Sequence, residues 1–398
     1  MTVVIVDREV RLKRHIRDHF RKLGFTRDER GDLKLDNLSK DTYRAFHLPQ
    51  RLDKLARNAD FIEKNSASLI EHFADGVEID PQNIKPRLEI VSAGTWQSDL
   101  FRFASLQWQI PVSDGYGRRM RFLVWDATNE KLIGLIALGD AVFNLAVRDQ
   151  LVGWDHEDRG HRLANLMDAY VLGAVPPYNL ILGGKLVASL VRTQEIRRMF
   201  EKRYGNSIGL ISGERKNARL AMVTTTSALG RSSVYNRLKL HGVDYFKSIG
   251  FTSGWGHFHI SDALFHEIRR YLEDEGDPYA NGHEFGNGPN WRLRTIRRAL
   301  SKLGMSEGLM KHRLVREVFV CKLATNARNF LQGKATRARF GDQLLTVEEV
   351  GEKAVHRWVT PRAERDDTFR LHLKSSLLQS LDQKFHRLPN KNAARSNA

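Results

Sequence analysis

A strand that runs through a glycine turn straight into a helix commits a chain to a crossover, because the helix must pack back onto the sheet it has left. Residues 176–204 read in this way. Pro176-Pro177 introduces an apolar strand at 178–182, Gly183-Gly184-Lys185 follows at once, and a long helix is predicted over 186–204. Upstream, 88–91, 101–108, 121–126 and 132–138 read as strands of a meander, with Asn129-Glu130 as a tight connection, and helical patterning surrounds 156–170. Downstream, a strand is expected at 220–226, a short helix at 232–240, a glycine- and aromatic-rich stretch at 245–260 and a helix at 262–273. The order predicts an α/β protein with a mixed sheet.

Helical elements flank this core. Helices are predicted at 8–23, 39–58 and 61–74, with Ser39 as an N-cap and Pro49 as a break in the second. Two basic helices around a strand at 316–323 fill 291–331, and further helices cover 346–358 and 369–386. The Asn- and Ala-rich end, 389–398, is expected to be disordered. The implied organisation is a basic helical region 1–80, an α/β core 81–275, a basic helical segment 276–340 and a tail 341–398.

Charge narrows the partners. The chain has 64 Lys and Arg against 47 Asp and Glu, a formal +17 over 398 residues. Residues 1–58 hold +6 and 281–340 hold +10, whereas 59–280 are nearly neutral at −1. Basic segments around a neutral body point to nucleic acid, with an acidic protein partner as the rival. The one cysteine, Cys321, excludes a disulfide framework and any cysteine-based zinc cluster. No 18-residue apolar run and no signal peptide is visible, so a cytoplasmic protein without a membrane span is expected.

Five constellations could bear chemistry. Gly183, Gly184 and Lys185 at a helix start suit an anion such as the pyrophosphate of coenzyme A, although the P-loop spacing is absent. The run from Thr224 to Arg237 is a hydroxyl-rich loop that offers Ser227 and Tyr235 as catalytic candidates and Arg231 and Arg237 as nucleic-acid contacts, and Ser232 or Ser233 is expected to cap a helix. His257 and His259 alternate, so a strand would put them on one face, His257 being a candidate acid or base. No third ligand accompanies them, and no metal site is expected. Trp291, Arg292, Arg294, Arg297 and Arg298 combine an aromatic platform with a stripe of guanidinium groups, the usual equipment for nucleic acid. Asp126, Asp140, Asp149, Asp155 and Asp168 punctuate the core at no spacing that defines a nuclease. Whether the chain catalyses anything stays open on these residues.

Tyr245-Phe246-Lys247-Ser248-Ile249-Gly250-Phe251 resembles the last motif of GNAT acyltransferases, in which an aromatic helix end turns into a strand through Gly-Phe. With the meander, glycine turn and crossover helix upstream, the resemblance implies a GNAT-like core over roughly 90–262. The acyl-coenzyme A loop of that family is reduced here to Gly183-Gly184-Lys185. At fold level this is similar to the Mom DNA-modification proteins of phages. A closer likeness lies in Phe101-Arg102-Phe103-Ala104-Ser105, Pro111 to Arg119, Gly153-Trp154-Asp155, Val171-Leu172-Gly173-Ala174, Thr226 to Ser233 and Gly288-Pro289-Asn290-Trp291-Arg292. These runs resemble the Druantia anti-phage defence protein A family over roughly 40–340. The resemblance implies a bacterial defence component that works beside a large helicase-like partner. Three functions are compatible with it: nucleic-acid binding through the basic flanks, acyl transfer to nucleic acid or protein, and a protein-interaction scaffold.

Overall fold

The computed structural model describes residues 2–28, 33–35, 39–112, 117–208, 213–281 and 289–382. The chain forms two compact units. The smaller gathers Met1–Gln50, Ala228–Gly230 and Phe251–Arg316, and the larger holds Arg51–Ser227, Arg231–Gly250 and Glu317–Ala398.

The larger unit is built on a seven-stranded sheet. Its strands are β1 (Pro86–Ile90), β2 (Arg119–Asp126), β3 (Lys131–Asp140), β4 (Leu166–Ala174), β5 (Met222–Thr226), β6 (Lys247–Phe251) and β7 (Glu317–Lys322). They lie in the order β6-β7-β5-β4-β3-β2-β1. β1 to β4 form an antiparallel meander, β4 and β5 run parallel, and β7 pairs antiparallel with β5. The crossover between the parallel strands contains the helices Gly183–Ser189 and Gln194–Tyr204.

β2 and β3 are almost wholly buried, which is why they read as apolar runs rather than as an alternation. Alternate residues nevertheless serve two cores. Phe122, Val124 and Ile136 pack with Leu186, Val187 and Val350, whereas Leu123, Trp125 and Leu135 pack with Leu100, Phe101 and Phe103. The sheet is thus the middle of three layers, with Gly183–Ser189 and Val347–Ala354 on one face and Trp96–Ser105 on the other. Gly134 permits the first of these contacts, since a Cβ there would lie 2.3 Å from Gly173 O and 2.9 Å from Val187 Cγ2.

In the smaller unit the helix Thr2–Lys22 sets Leu12, Ile16 and Phe20, four residues apart, into a core with Leu264, Phe265, Ile268, Leu272, Ile296 and Leu300. The last six come from the helices Asp262–Asp274 and Pro289–Lys302. Ser261 caps the former, its Oγ accepting from Leu264 N at 3.3 Å.

The α/β class and the mixed sheet match expectation, while several local elements differ. Residues 101–108, read as a strand, belong to and follow the helix Trp96–Ser105, which begins after Thr95. Of the helical patterning read around 156–170, His156–Arg162 is a helix but Leu166–Ala174 is a strand, so β4 rather than 178–182 enters the crossover; Tyr178–Ile181 is a single 3-10 turn. The expected long helix is two helices. Residues 233–237 form turns and Lys239–Leu240 a short strand instead of a helix, with Arg237 in the left-handed region (φ 59°). Pro49 lies inside the uninterrupted helix Lys40–Arg57. Residues 389–398 lie outside the described residues. No helix among the described residues is long and apolar enough to cross a membrane.

Candidate functional site

β4 and β5 pair over only three residues each, and the last pair is Asp168 with Thr224. Asp168 also pairs with Gly139 on β3, and Gly139 with Arg119 on β2. Residues opposite one another on neighbouring strands present their side chains to the same face. One row across the sheet therefore reads Arg119, Gly139, Asp168, Thr224. The Thr224 hydroxyl donates to Asp168 Oδ1 at 2.7 Å. Gly139 leaves the space through which the Arg119 guanidinium lies along the row, since a Cβ there would meet Arg119 Nη1 at 3.0 Å. That guanidinium stacks over the Tyr170 ring, 4.2 Å from its centroid.

Arg148 approaches the same carboxylate from the helix Ala146–Val152. It is fully buried and bonded to Asp149 Oδ1 through Nε (2.8 Å) and Nη2 (2.6 Å), and it donates to the carbonyls of Val142 and Phe143. Arg159 holds the other Asp149 oxygen at 2.8 Å. Burial pushes the Asp168 carboxyl up to about 6, against the pull of the Thr224 hydrogen bond, Arg148 and Arg119. A carboxyl group that exchanges its proton near neutrality, beside a hydroxyl and two guanidinium groups, can act as an acid or a base.

Beyond Asp168 and Thr224 the two parallel strands are joined by side chains. Thr225 Oγ1 donates to Ala169 O at 2.8 Å, and the Tyr235 hydroxyl donates to Leu172 O at 3.4 Å. Tyr235 packs its ring against Phe246 and Phe319. Burial pushes its phenol up to about 12, so it is neutral and serves as a wedge.

The same loop occupies Lys185. Its ammonium donates to Val234 O and Asn236 O, each at 3.1 Å, and lies 5.7 Å from the Trp358 ring centroid. Burial lowers its pKa, and Arg237 and Arg357 lower it further. Gly183 sits where a Cβ would be 2.5 Å from Tyr178 O, and Gly184 faces Val234. The three residues thus anchor the loop 231–238. Ser227 is buried at the end of β5, its N–H bonded to Glu317 O. Ser232 Oγ accepts from Val234 N and Tyr235 N, a cap of a turn rather than of a helix.

His257 and His259 lie in turns of the smaller unit and do not alternate on a strand. His259 is buried with Nε2 2.8 Å from Leu309 O, and burial lowers both imidazoles to about 4. Among the described residues no group of three or more His, Cys, Asp or Glu is arranged to hold a metal ion.

The arginine stripe is answered by carboxylates. Arg292 bonds Asp262 and Ile260 O at 2.6 Å each and lies over the Phe265 ring. Arg297 makes a forked pair with Glu307, and Arg298 bonds the buried Asp277 at 2.8 Å. Trp291 is 8% exposed, with Nε1 donating to Tyr279 O, so its ring is core and not a stacking platform. Arg294 and Arg231 are exposed. Sequence reasoning passed over the Asp168 row. Its signal was faint: an aspartate and a threonine within apolar segments, joined only by the parallel register.

A seven-stranded mixed sheet between helical layers, with a polar row at its parallel pair, defines a three-layer α/β protein. The chain belongs to the Druantia protein DruA family, whose model matches residues 37–333. It is 54% identical over 365 residues to the Druantia protein DruA of Escherichia coli (strain UMEA 4076-1), covering 92% of this chain and 90% of that protein. No solved structure matches.

Proposed function

We propose that this chain is the nucleic-acid-binding component of a bacterial anti-phage defence system, built on a GNAT-like core and working with other defence proteins, including a helicase-like subunit. Family membership supports the defence role. The meander, crossover and parallel strand come in the order a GNAT-like core requires.

One observation supports nucleic acid above the other readings: cations without carboxylates. The larger unit contains 42 Lys and Arg against 31 Asp and Glu, so +11 of the +17 lies there. Arg231, Arg237, Arg328, Lys334, Arg337 and Arg339 are exposed, and none has a carboxylate partner among the described residues. The forked and buried pairs on the helix Pro289–Lys302 would compete with phosphate, so that helix contributes less than its sequence suggests.

The test is fluorescence anisotropy of the full chain with labelled single-stranded and duplex DNA. Affinity should fall at least tenfold between about 50 and 200 mM salt. No binding at the lower salt would overturn the reading. The Asp168 row favours acyl transfer as a second reading, with Asp168 as the proton acceptor and acyl-coenzyme A as the donor. Mass spectrometry would find an acyl group moved to nucleic acid or protein by the wild type and not by Asp168→Asn; no transfer by the wild type rejects it.

A further inference from the structure

We infer that the large cleft of the larger unit is a phosphate-binding groove for a single nucleic-acid strand. This rests on the nucleic-acid reading and gives it a location. The cleft encloses about 1270 Å³ and is open to solvent along one side. One wall is the start of β1, with Lys85 and Pro86. A second is the tight turn that carries Lys239 and His241. The third is the helical segment from Val347 to Arg365, which contributes Glu352, His356 and Arg357.

Beside Arg357 of this wall lie two cations outside the lining, Lys185 and Arg237. Lys185 grips the carbonyls on either side of Tyr235, which fixes the position of the next residue, Arg237. The same ammonium lies against Trp358, the neighbour of Arg357. Arg237 and Arg357 are both exposed, and neither has a carboxylate partner among the described residues. Mutual repulsion there is uncompensated, which is the condition an incoming anion relieves. The Lys85 ammonium has no carboxylate partner among the described residues; Asp126 accepts from the Lys85 backbone N–H instead. Lys239 has only a loose partner, Asp244 at 3.8 Å on the surface.

The carboxylates of the cleft, Glu352 and Glu348, sit one and two turns before His356 on the helical wall. They leave the wall beyond His356, with Arg357, to the anion. A concave groove with cations on opposing walls tracks one phosphodiester backbone, whereas a duplex presents a convex surface.

The experiment uses the full chain and Arg237→Glu/Arg357→Glu, two exposed side chains whose reversal leaves the core intact; Arg237→Ala/Arg357→Ala serves if the first variant melts early. Probes are labelled oligothymidylate, duplex DNA, a thymidine nucleotide and polyglutamate. The wild type should prefer oligothymidylate. The double variant should lose at least tenfold in affinity, with a salt slope shallower by about 1 to 2. Arg294→Ala/Arg297→Ala/Arg298→Ala should stay within about threefold of wild type. Wild-type affinity in the double variant, with strand binding otherwise intact, overturns the groove and leaves the nucleic-acid reading standing. Binding of the nucleotide as tight as that of the strand identifies a small-molecule site and overturns the strand as occupant. Tighter binding of polyglutamate than of DNA, or no DNA binding at all, overturns both.

Discussion

Asp168 and the buried histidines make stability respond to pH in opposite directions. The Asp168 carboxyl, raised from 3.8 to about 6, binds its proton more tightly in the folded chain than in the unfolded one. Its contribution therefore falls as pH rises from about 4 to 6. Asp168→Asn should gain on the wild type across that window by about 2 kcal/mol, read from urea midpoints at each pH. His47, His257 and His259 are lowered to about 4 and His312 to about 3, each chiefly by burial. There the unfolded chain takes up protons first, so their contribution is present above pH 6.5 and lost as pH falls towards 4. Thermal melting at pH 7.5 and 5.0 should show the acid loss dominating, with Tm several degrees lower at pH 5. An unchanged Tm would mean that these imidazoles are hydrated in solution. Single residues also set the limit of sequence reading. Trp291 and Arg292 look like a nucleic-acid pair in a string of letters, yet Tyr279 O, Asp262 and Phe265 claim them. Those partners lie 12 to 30 residues away in sequence, where no local pattern reveals them.

Elements show which patterns survive without tertiary context. β2, β3, β5 and β7 were legible because β-branched and aromatic residues fill short runs bounded by turn residues. Part of the helix Trp96–Ser105 and the strand β4 were read as the opposite type; the strand reading began at Phe101, past the exposed Trp96 and Asp99 that mark the helical period. Asp168 went unassigned with β4: once that strand is misread, nothing aligns it with Thr224. The loop 231–238 depends on one side chain. Lys185→Met removes the donor to two inward-facing carbonyls, so it should cost about 1 to 2 kcal/mol and speed amide exchange in that loop. Exchange as slow as in the wild type would show that Ser232 and Tyr235 hold the loop unaided. In the same unit, Thr346 closes a capping box with Glu349. Thr346→Ala should cost about 1 kcal/mol and fray Val347–Ala354, seen as faster exchange at its first turn.

On the scale of the whole molecule, charge counted by segment and charge counted by unit disagree. The segment 281–340 holds +10, but acids at 262, 277 and 307 sit against its arginines. The larger unit carries +11 and the smaller +6, because the nearly neutral stretch 59–280 draws residues from both units. The smaller unit is drawn from both sides of the larger in sequence. A chain ended at residue 250 should therefore lose protection of its first helix to protease, while the full chain keeps it; equal protection would mean that the helix is stable without its partners. Synthesis makes the same demand in time. About two hundred residues separate Gln50 from the return of the chain at Phe251. At roughly 5 to 20 residues per second, Leu12, Ile16 and Phe20 wait about 12 to 50 s for the first residues of the helix Asp262–Asp274. For that interval the nascent chain displays an amphipathic helix with nowhere to lay its apolar side, so chaperone supply and growth temperature should govern how much of this protein a cell can accumulate.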